Sequence, residues 1–309
     1  MSDIALQDKF VGCFLGLAFG DAICAPLEGG IAEHLLWRLI GKTRARERRF
    51  TDDTQVSLDI AASFLKEGCI DQEKLAREFA GSYKWSRGYG PGAGKILKRI
   101  RNGIAWEKAS VSVYKNGSFG NGAAMRAPVI AMCFMQTSPE FNKAIVNCSE
   151  ITHSHALAIE GASLIAHATA YALRGVANNE LCDQLSSIAK ADSFKIKLDL
   201  CQRRLQQNDE LNISDIKNSF GNGMTAEKSC VTAIYLGLRF REEPFVDLLN
   251  VIKQLGGDTD TIAAMAGAIW GAFNGAKRLT LEELPKIEMQ DEIRDTAIRL
   301  YKAYKFKTD

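Results

Sequence analysis

Two stretches of this 309-residue chain are almost free of charge, and they limit the fold more than any other feature. Residues 10–25 carry only Asp21, and Thr261 to Ala276 are 16 residues with no charge at all. Both fall short of the ~20 apolar residues that a bilayer-spanning helix needs. Each is therefore expected to be buried within protein. Gly267, Gly271 and Gly275 lie four apart, which places small residues on one helical face. The second stretch is expected to be a core helix lying close against another backbone.

Helical periodicity continues through the rest of the chain. Phe10, Cys13, Phe14, Leu17 and Ala18 share one face, and Val56 to Leu65 fit a helix that Gly68 ends. Leu75 to Trp85, Ile96 to Ile104, Ala123 to Met135, Ala156 to Leu173, Ala226 to Phe240 and Phe245 to Leu255 behave likewise. The best alternation of β-branched residues, Ser110 to Tyr114, is short. The expected fold is all-α, a compact single-domain orthogonal helical bundle over residues 1–309 with its core at roughly 8–300. The polar region Asn178 to Ser219, centred on residues 206–210, reads as a surface excursion, and the tail after Tyr301 as partly ordered.

Composition narrows the function. With 39 basic and 37 acidic residues the net charge is +2, which gives no support to nucleic-acid binding. The eight cysteines form no Cys-x-x-Cys pair and read as small buried hydrophobes of a reducing compartment, so a cytoplasmic location is expected. The N-terminal stretch has no basic n-region of a secretory signal, and no membrane association is expected. The basic run Lys42 to Arg49 reads as a solvated loop, with a second use if a phosphate-bearing ligand lies nearby.

Chemistry concentrates at two helix starts. Thr51-Asp52-Asp53 opens the helix predicted over Thr54 to Lys66, and Gly256-Gly257-Asp258-Thr259-Asp260-Thr261 opens the uncharged helix. Asp and Thr are ordinary N-caps, and Asp52 with Gln55 resembles a capping box. A cap accounts for one residue, whereas each start carries two carboxylates and a hydroxyl. Brought together, four carboxylates repel and need a counter-charge. Their all-oxygen character favours Mg²⁺, Mn²⁺ or Ca²⁺ over zinc. The clusters lie 205 residues apart, and whether they meet is open at this level.

Three glycine-rich turns could present backbone N–H groups to an anion: Arg87 to Gly92, Ser118-Phe119-Gly120-Asn121-Gly122 and its repeat Ser219-Phe220-Gly221-Asn222-Gly223. None is a Rossmann or Walker loop. His153 and His155 form a His-x-His pair without a third soft ligand; one of them touching a ligand and both serving as capped surface residues are equal readings. Glu28, after Ala25-Pro26, reads as a general base or as a helix-end acid.

Taken together the motifs resemble the ADP-ribosylglycohydrolase family. They run in family order from Gly12-Cys13-Phe14-Leu15-Gly16, Gly20-Asp21-Ala22 and Ala25-Pro26-Leu27-Glu28 through Phe50-Thr51-Asp52-Asp53-Thr54, Gly120 to Arg126 and Thr152-His153 to Gly256 through Ala268. The resemblance implies a hydrolase that cleaves ADP-ribose from an acceptor with two metal ions, Mg²⁺ or alternatively Mn²⁺. By motif, Thr51, Asp52, Asp53, Asp258, Asp260 and Thr261 would be metal ligands. Glu28, Asp53 and Asp258 would be catalytic. Gly88, Gly90, Gly92, Ser118, Phe119, Gly120, Asn121 and Gly122 would hold the diphosphate and ribose, with His153 and the second turn, including Met224, on the nucleoside side.

The segment Arg87-Gly88-Tyr89-Gly90 is similar to the serine-specific branch, because the arginine-specific branch tends to carry an Asp here and no acid lies between Glu78 and Glu107. The expected substrate is serine-linked mono-ADP-ribose on a protein, with poly-ADP-ribose and O-acetyl-ADP-ribose as further candidates and a monomer as the acting species. An arginine-linked hydrolase and a catalytically silent ADP-ribose-binding module stay open. Three departures bear on substrate size and gating: Ile23-Cys24 where a glycine is common, a short span from Glu28 to Thr51, and Glu227-Lys228 after the second turn.

Overall fold

The computed structural model describes residues 3–207 and 211–308. Sixteen α-helices occur among them and no β-strand: α1 Asp3–Cys24, α2 Ile31–Ile40, α3 Asp52–Glu67, α4 Gln72–Ser82, α5 Pro91–Arg101, α6 Trp106–Ser110, α7 Ala127–Phe134 and α8 Pro139–Glu150. They continue as α9 Ala156–Arg174, α10 Asn178–Ile188, α11 Asp192–Gln207, α12 Ile213–Ser219, α13 Ala226–Arg239, α14 Phe245–Leu255, α15 Thr259–Asn274 and α16 Gln290–Thr308. The fold is an all-α bundle around one contiguous apolar core.

The two uncharged stretches are α1 and α15, and they pack against each other at the centre. Their contact is made of glycine. A Cβ on Gly16 would lie 2.2 Å from the Gly267 carbonyl oxygen, and one on Gly271 would lie 2.0 Å from that of Gly12. A methyl group at either place would force the backbones apart. The glycine face therefore sets the spacing, as the four-residue interval implied. α1 runs into Pro26, which cannot continue a helix, and a short 3-10 turn over Ala25–Leu27 follows. α1 with that turn, and α9, are long and apolar enough to cross a membrane, but 89% and 72% of their apolar windows are buried inside the protein.

Several expectations are corrected. The helix expected over Ala123 to Met135 begins only at Ala127, because Pro128 is tolerated only in a first turn; a 3-10 turn precedes it at Asn121–Ala123. Residues 178–219 form α10, α11 and α12, not an excursion. Leu181, Leu185, Phe194, Leu198 and Cys201 are fully buried there, so a polar outer face had masked an apolar inner one. Residues 208–210, at the centre of that region, lie outside the described residues. The tail continues as helix to Thr308, held by Phe10 against Tyr301 at 5.6 Å. Seven cysteines are buried, and Cys69 is exposed.

Candidate active site and metal centre

The α1–α15 pair brings the end of one helix to the start of the other, with Thr259 Oγ1 donating to the Cys24 carbonyl at 3.2 Å. Asp21, the lone charge of the first stretch, is fully buried. Its carboxylate accepts the Thr51 N–H at 2.9 and 3.0 Å, the Thr54 N–H at 3.1 Å and the Thr54 hydroxyl at 2.6 Å. Burial raises its carboxyl to about 6 while these bonds pull the other way. Asp21 therefore locks the start of α3 onto α1. The motif reading gave it no role. Its signal was present, since a charge inside an apolar run has to be paired.

At the start of α3, Thr51 is the cap and accepts the Asp53 N–H at 3.2 Å. The expected capping box does not form, because Gln55 turns its amide to Asp59 at 3.2 Å. Asp52 and Asp53 are left facing the cleft. At the start of α15, Asp258 stands at the cap position but makes no capping bond. Its carboxylate instead accepts from Asn121 Nδ2, which also donates to Ser229 Oγ at 3.0 Å. Gly256 and Gly257 both have positive φ, so the chain reverses tightly into Asp258.

The two acidic clusters meet. Thr261 Oγ1 donates to Asp53 Oδ1 at 3.5 Å across 208 positions of chain. Glu28, Asp258 and Asp260 each bring a carboxylate oxygen within 4.8 Å of the others. Burial pushes the carboxyls of Asp52, Asp53, Asp258 and Asp260 upward, and repulsion from neighbouring acids adds to it at Asp52, Asp53 and Asp260. Asp53 Oδ2 is buried with no hydrogen-bond partner. An orphaned carboxylate oxygen among four further acids, with no nitrogen or sulfur donor in the set, fits a hard divalent cation. Thr51 caps α3 from behind the cleft surface, and Glu28 stands with Asp258 and Asp260 among the acids able to hold an ion.

A cleft of about 320 Å³ opens from this cluster. Every expected site residue lines it except Thr51 and residues 219–223 of the second turn, and Ala93, Tyr114, Met125 and Thr225 were not foreseen. Tyr114 covers Gly92 so closely that a Cβ there would come within 2.7 Å of its ring. His153 is buried, with Nδ1 at 2.8 Å from Thr152 Oγ1, and a Cβ on Gly122 would meet its ring at 2.5 Å. Burial, with the Arg126 charge, lowers the His153 imidazole to about 3, so it is neutral. His155 instead caps α9, accepting the Leu157 N–H at 3.2 Å, so the His-x-His pair divides into a wall residue and a cap.

Behind the walls, Arg87 donates to the Phe50 carbonyl at 2.8 Å and pairs with Glu288, which also accepts the Phe50 N–H at 3.0 Å. This ties the Gly88–Gly92 turn to the chain entering α3. The first of the repeated turns pairs with the segment that follows the second: Asn121 N–H donates to the Met224 carbonyl at 3.0 Å and Ala226 N–H to that of Phe119 at 3.1 Å.

Fold and cleft define a class: all-helical proteins that gather carboxylates at the mouth of a glycine-walled cleft. The chain belongs to the ADP-ribosylglycohydrolase family, whose family model matches residues 2–309. It is similar to the "ADP-ribosylhydrolase ARH3" of Danio rerio, 31% identical with 98% of this chain and 93% of that one covered. The Homo sapiens protein of the same name is 30% identical, over 86% and 85%. The "ADP-ribosyl-[dinitrogen reductase] glycohydrolase" of Rhodospirillum rubrum is 26% identical, over 94% of each. A solved structure titled "ADP-ribosylglycohydrolase-related protein complex" superposes with a TM-score of 0.70 at 22% identity, covering 97% of this chain and 99% of that one, and shares the fold. The protein is a hydrolase acting on ADP-ribosyl glycosidic bonds.

Proposed function

We propose that the chain, as a cytoplasmic monomer, hydrolyses O-linked ADP-ribose from serine side chains of proteins, using two Mg²⁺ ions. The observation that carries the linkage is the wall formed by Gly88, Gly90, Pro91, Gly92 and Ala93, which offers no acid to a guanidinium. All five acids of the cleft belong to the metal cluster. An arginine-linked substrate would need a carboxylate that this wall lacks. The similarity of Arg87-Gly88-Tyr89-Gly90 to the serine-specific branch points the same way.

In this reading Asp52, Asp53, Asp258, Asp260, Thr261 and the Thr51 oxygen hold the ions, with Glu28 beside them. Bound metal supplies charge for the ribose hydroxyls and acidity for a bound water. The bond from the anomeric carbon to the serine oxygen breaks, the water oxygen ends on that carbon, and a proton ends on the serine oxygen. Glu28 stands at the mouth, where it can carry that proton. Backbone N–H groups of the two cleft turns meet the diphosphate. Neutral His153 adds no charge to the nucleoside side.

The experiment is release of free ADP-ribose from a serine-modified and an arginine-modified peptide, each with Mg²⁺, Mn²⁺ or EDTA. EDTA-sensitive cleavage of the serine peptide alone supports the reading. Cleavage of the arginine peptide alone moves the branch and leaves the fold. Binding of ADP-ribose without cleavage of either makes the chain a binding module.

A further inference from the structure

Residues 123–135 are apolar except for Arg126, which is 2% exposed. A guanidinium taken out of water has to place its N–H groups on acceptors. Here the acceptors are neutral. Nη2 donates to the Cys148 carbonyl at 2.6 Å, and Nη1 donates to the Gly122 carbonyl at 3.2 Å and to Thr152 Oγ1 at 3.0 Å. The guanidinium carbon lies 4.9 Å from the centre of the Phe79 ring. One buried cation thus joins the cleft turn, through Gly122, to the segment that carries His153.

The same bonds determine where the His153 proton sits. Arg126 has no acceptor atom, so Thr152 Oγ1 receives from it and gives a lone pair to that bond. Thr152 is itself buried, and its one hydroxyl proton has His153 Nδ1 at 2.8 Å as its acceptor. A proton on Nδ1 would leave that hydroxyl proton buried without an acceptor, which costs stability. Nδ1 therefore carries the lone pair, and the neutral ring holds its one proton on Nε2. Nε2 faces the turn: a Cβ on Gly122 would lie 2.8 Å from it and one on Gly120 3.3 Å. Donors are scarce on this wall. The Gly120 and Asn121 N–H groups already donate to Ser118 Oγ at 3.3 Å and to the Met224 carbonyl at 3.0 Å, and no Lys or Arg among the described residues lines the cleft.

We propose that Arg126 and Thr152 are positioning residues that hold the proton of His153 on Nε2, so that the ring offers an N–H donor to an acceptor oxygen or nitrogen of bound ADP-ribose. This rests on the reading of the cleft as the site of ADP-ribosyl hydrolysis. Arg126 keeps the Thr152 hydroxyl turned to Nδ1, Thr152 keeps the ring and its proton in place, and neither lines the cleft. The wall is then selective, because a ligand atom that itself donates a hydrogen bond at this point meets the N–H and is rejected.

The test uses protein labelled with ¹⁵N at histidine and compares wild type with Thr152→Val and Thr152→Ser. In wild type near neutral pH, long-range ¹H–¹⁵N spectra are expected to show His153 Nδ1 as the unprotonated nitrogen and Nε2 as the protonated one. Saturation with ADP-ribose is expected to move the Nε2 resonance and to slow exchange of its proton. Thr152→Val keeps the side-chain shape without the hydroxyl. It is expected to shift the Nδ1 resonance and to raise the calorimetric Kd for ADP-ribose in Mg²⁺ by ~10-fold, and Thr152→Ser is expected to restore both. A role in packing alone would leave the Nδ1 resonance where it is. A proton on Nδ1 in wild type, an Nε2 resonance that ADP-ribose leaves unmoved, or an unchanged Kd in Thr152→Val overturns the proposal. If Thr152→Val does not fold, the wild-type and Thr152→Ser spectra still decide between Nδ1 and Nε2. Wild type that binds no ADP-ribose sinks the reading of the cleft instead, and the spectrum of the free protein then still reads where the proton sits.

Discussion

Ser118–Gly122 and Ser219–Gly223 are the same five residues, yet Phe119 stands in the cleft wall, 48% exposed, while Phe220 is fully buried and stacked on Tyr235 at 4.9 Å. Asn121 gives its amide to the Asp258 carboxylate. Asn222 gives its amide to the Leu255 and Gly256 carbonyls, both at 3.0 Å, and its own carbonyl takes the Asp258 N–H at 2.9 Å. Lys197 closes the second turn from outside through the Phe220 carbonyl at 2.7 Å. The two turns therefore hold one acidic loop, one through the Asp258 carboxylate and the other through its backbone. One touches the functional atoms and the other holds the backbone that carries them. A short motif specifies a local shape, and its neighbours decide what that shape is used for.

The comparison breaks first at the residue both turns serve. Asp258→Asn is expected to lower turnover by ~10³-fold or more, because it removes charge where the ions are held. A steady-state assay checks this, and a drop under tenfold would remove Asp258 from the metal-holding set.

The phenylalanines should separate next. Phe220→Ala should cost about 3–5 kcal/mol of stability. Phe119→Ala should leave the denaturation midpoint nearly unmoved and raise KM. Equal stability losses in urea titrations would erase the distinction between wall and buttress.

The asparagines sharpen it further. Asn121→Ala should weaken metal binding about 10–100-fold, the usual cost of losing a partner of a ligand. Asn222→Ala should cost ~1–3 kcal/mol of stability from unpaired carbonyls, with a smaller effect on metal affinity. Calorimetric metal titration of both variants decides.

The smallest effect is in pH. Asp21, Asp52, Asp53, Asp258 and Asp260 all titrate above their ordinary range, chiefly through burial, so the metal-free folded state holds more protons than the unfolded one. Their contribution to stability is present at low pH and is lost as pH rises from ~4 through the raised values. His153, lowered to about 3, and His167, also lowered by burial, slope the other way up to their ordinary range, while Asp59, raised by burial to about 6, adds to the acids. Metal-free protein should thus melt higher at pH 5 than at pH 8, and Mg²⁺ should raise the melting temperature more at pH 8. The Asn121 bond lowers the Asp258 carboxyl, so Asn121→Ala should steepen this slope and Asn222→Ala should not. A flat profile for the metal-free protein would contradict the crowding of the acids.

The sequence by itself determined the helical class, the central uncharged pair and most of the site. Periodicity reports burial directly, and the residues that hold ions or walls are unusual in type: paired carboxylates at helix starts and glycines in turns. It also carried Asp21 as a lone charge in an apolar run, legible only once burial is taken as certain. Only the tertiary structure decided which acids meet, that Thr51 serves as cap, that Glu28 joins Asp258 and Asp260, and that His153 and His155 part company. It also decided which copy of Ser-Phe-Gly-Asn-Gly faces the cleft. These depend on contacts between residues far apart in the chain, where the α1–α15 glycine face fixes the distance, and no local pattern encodes a distance between two helices.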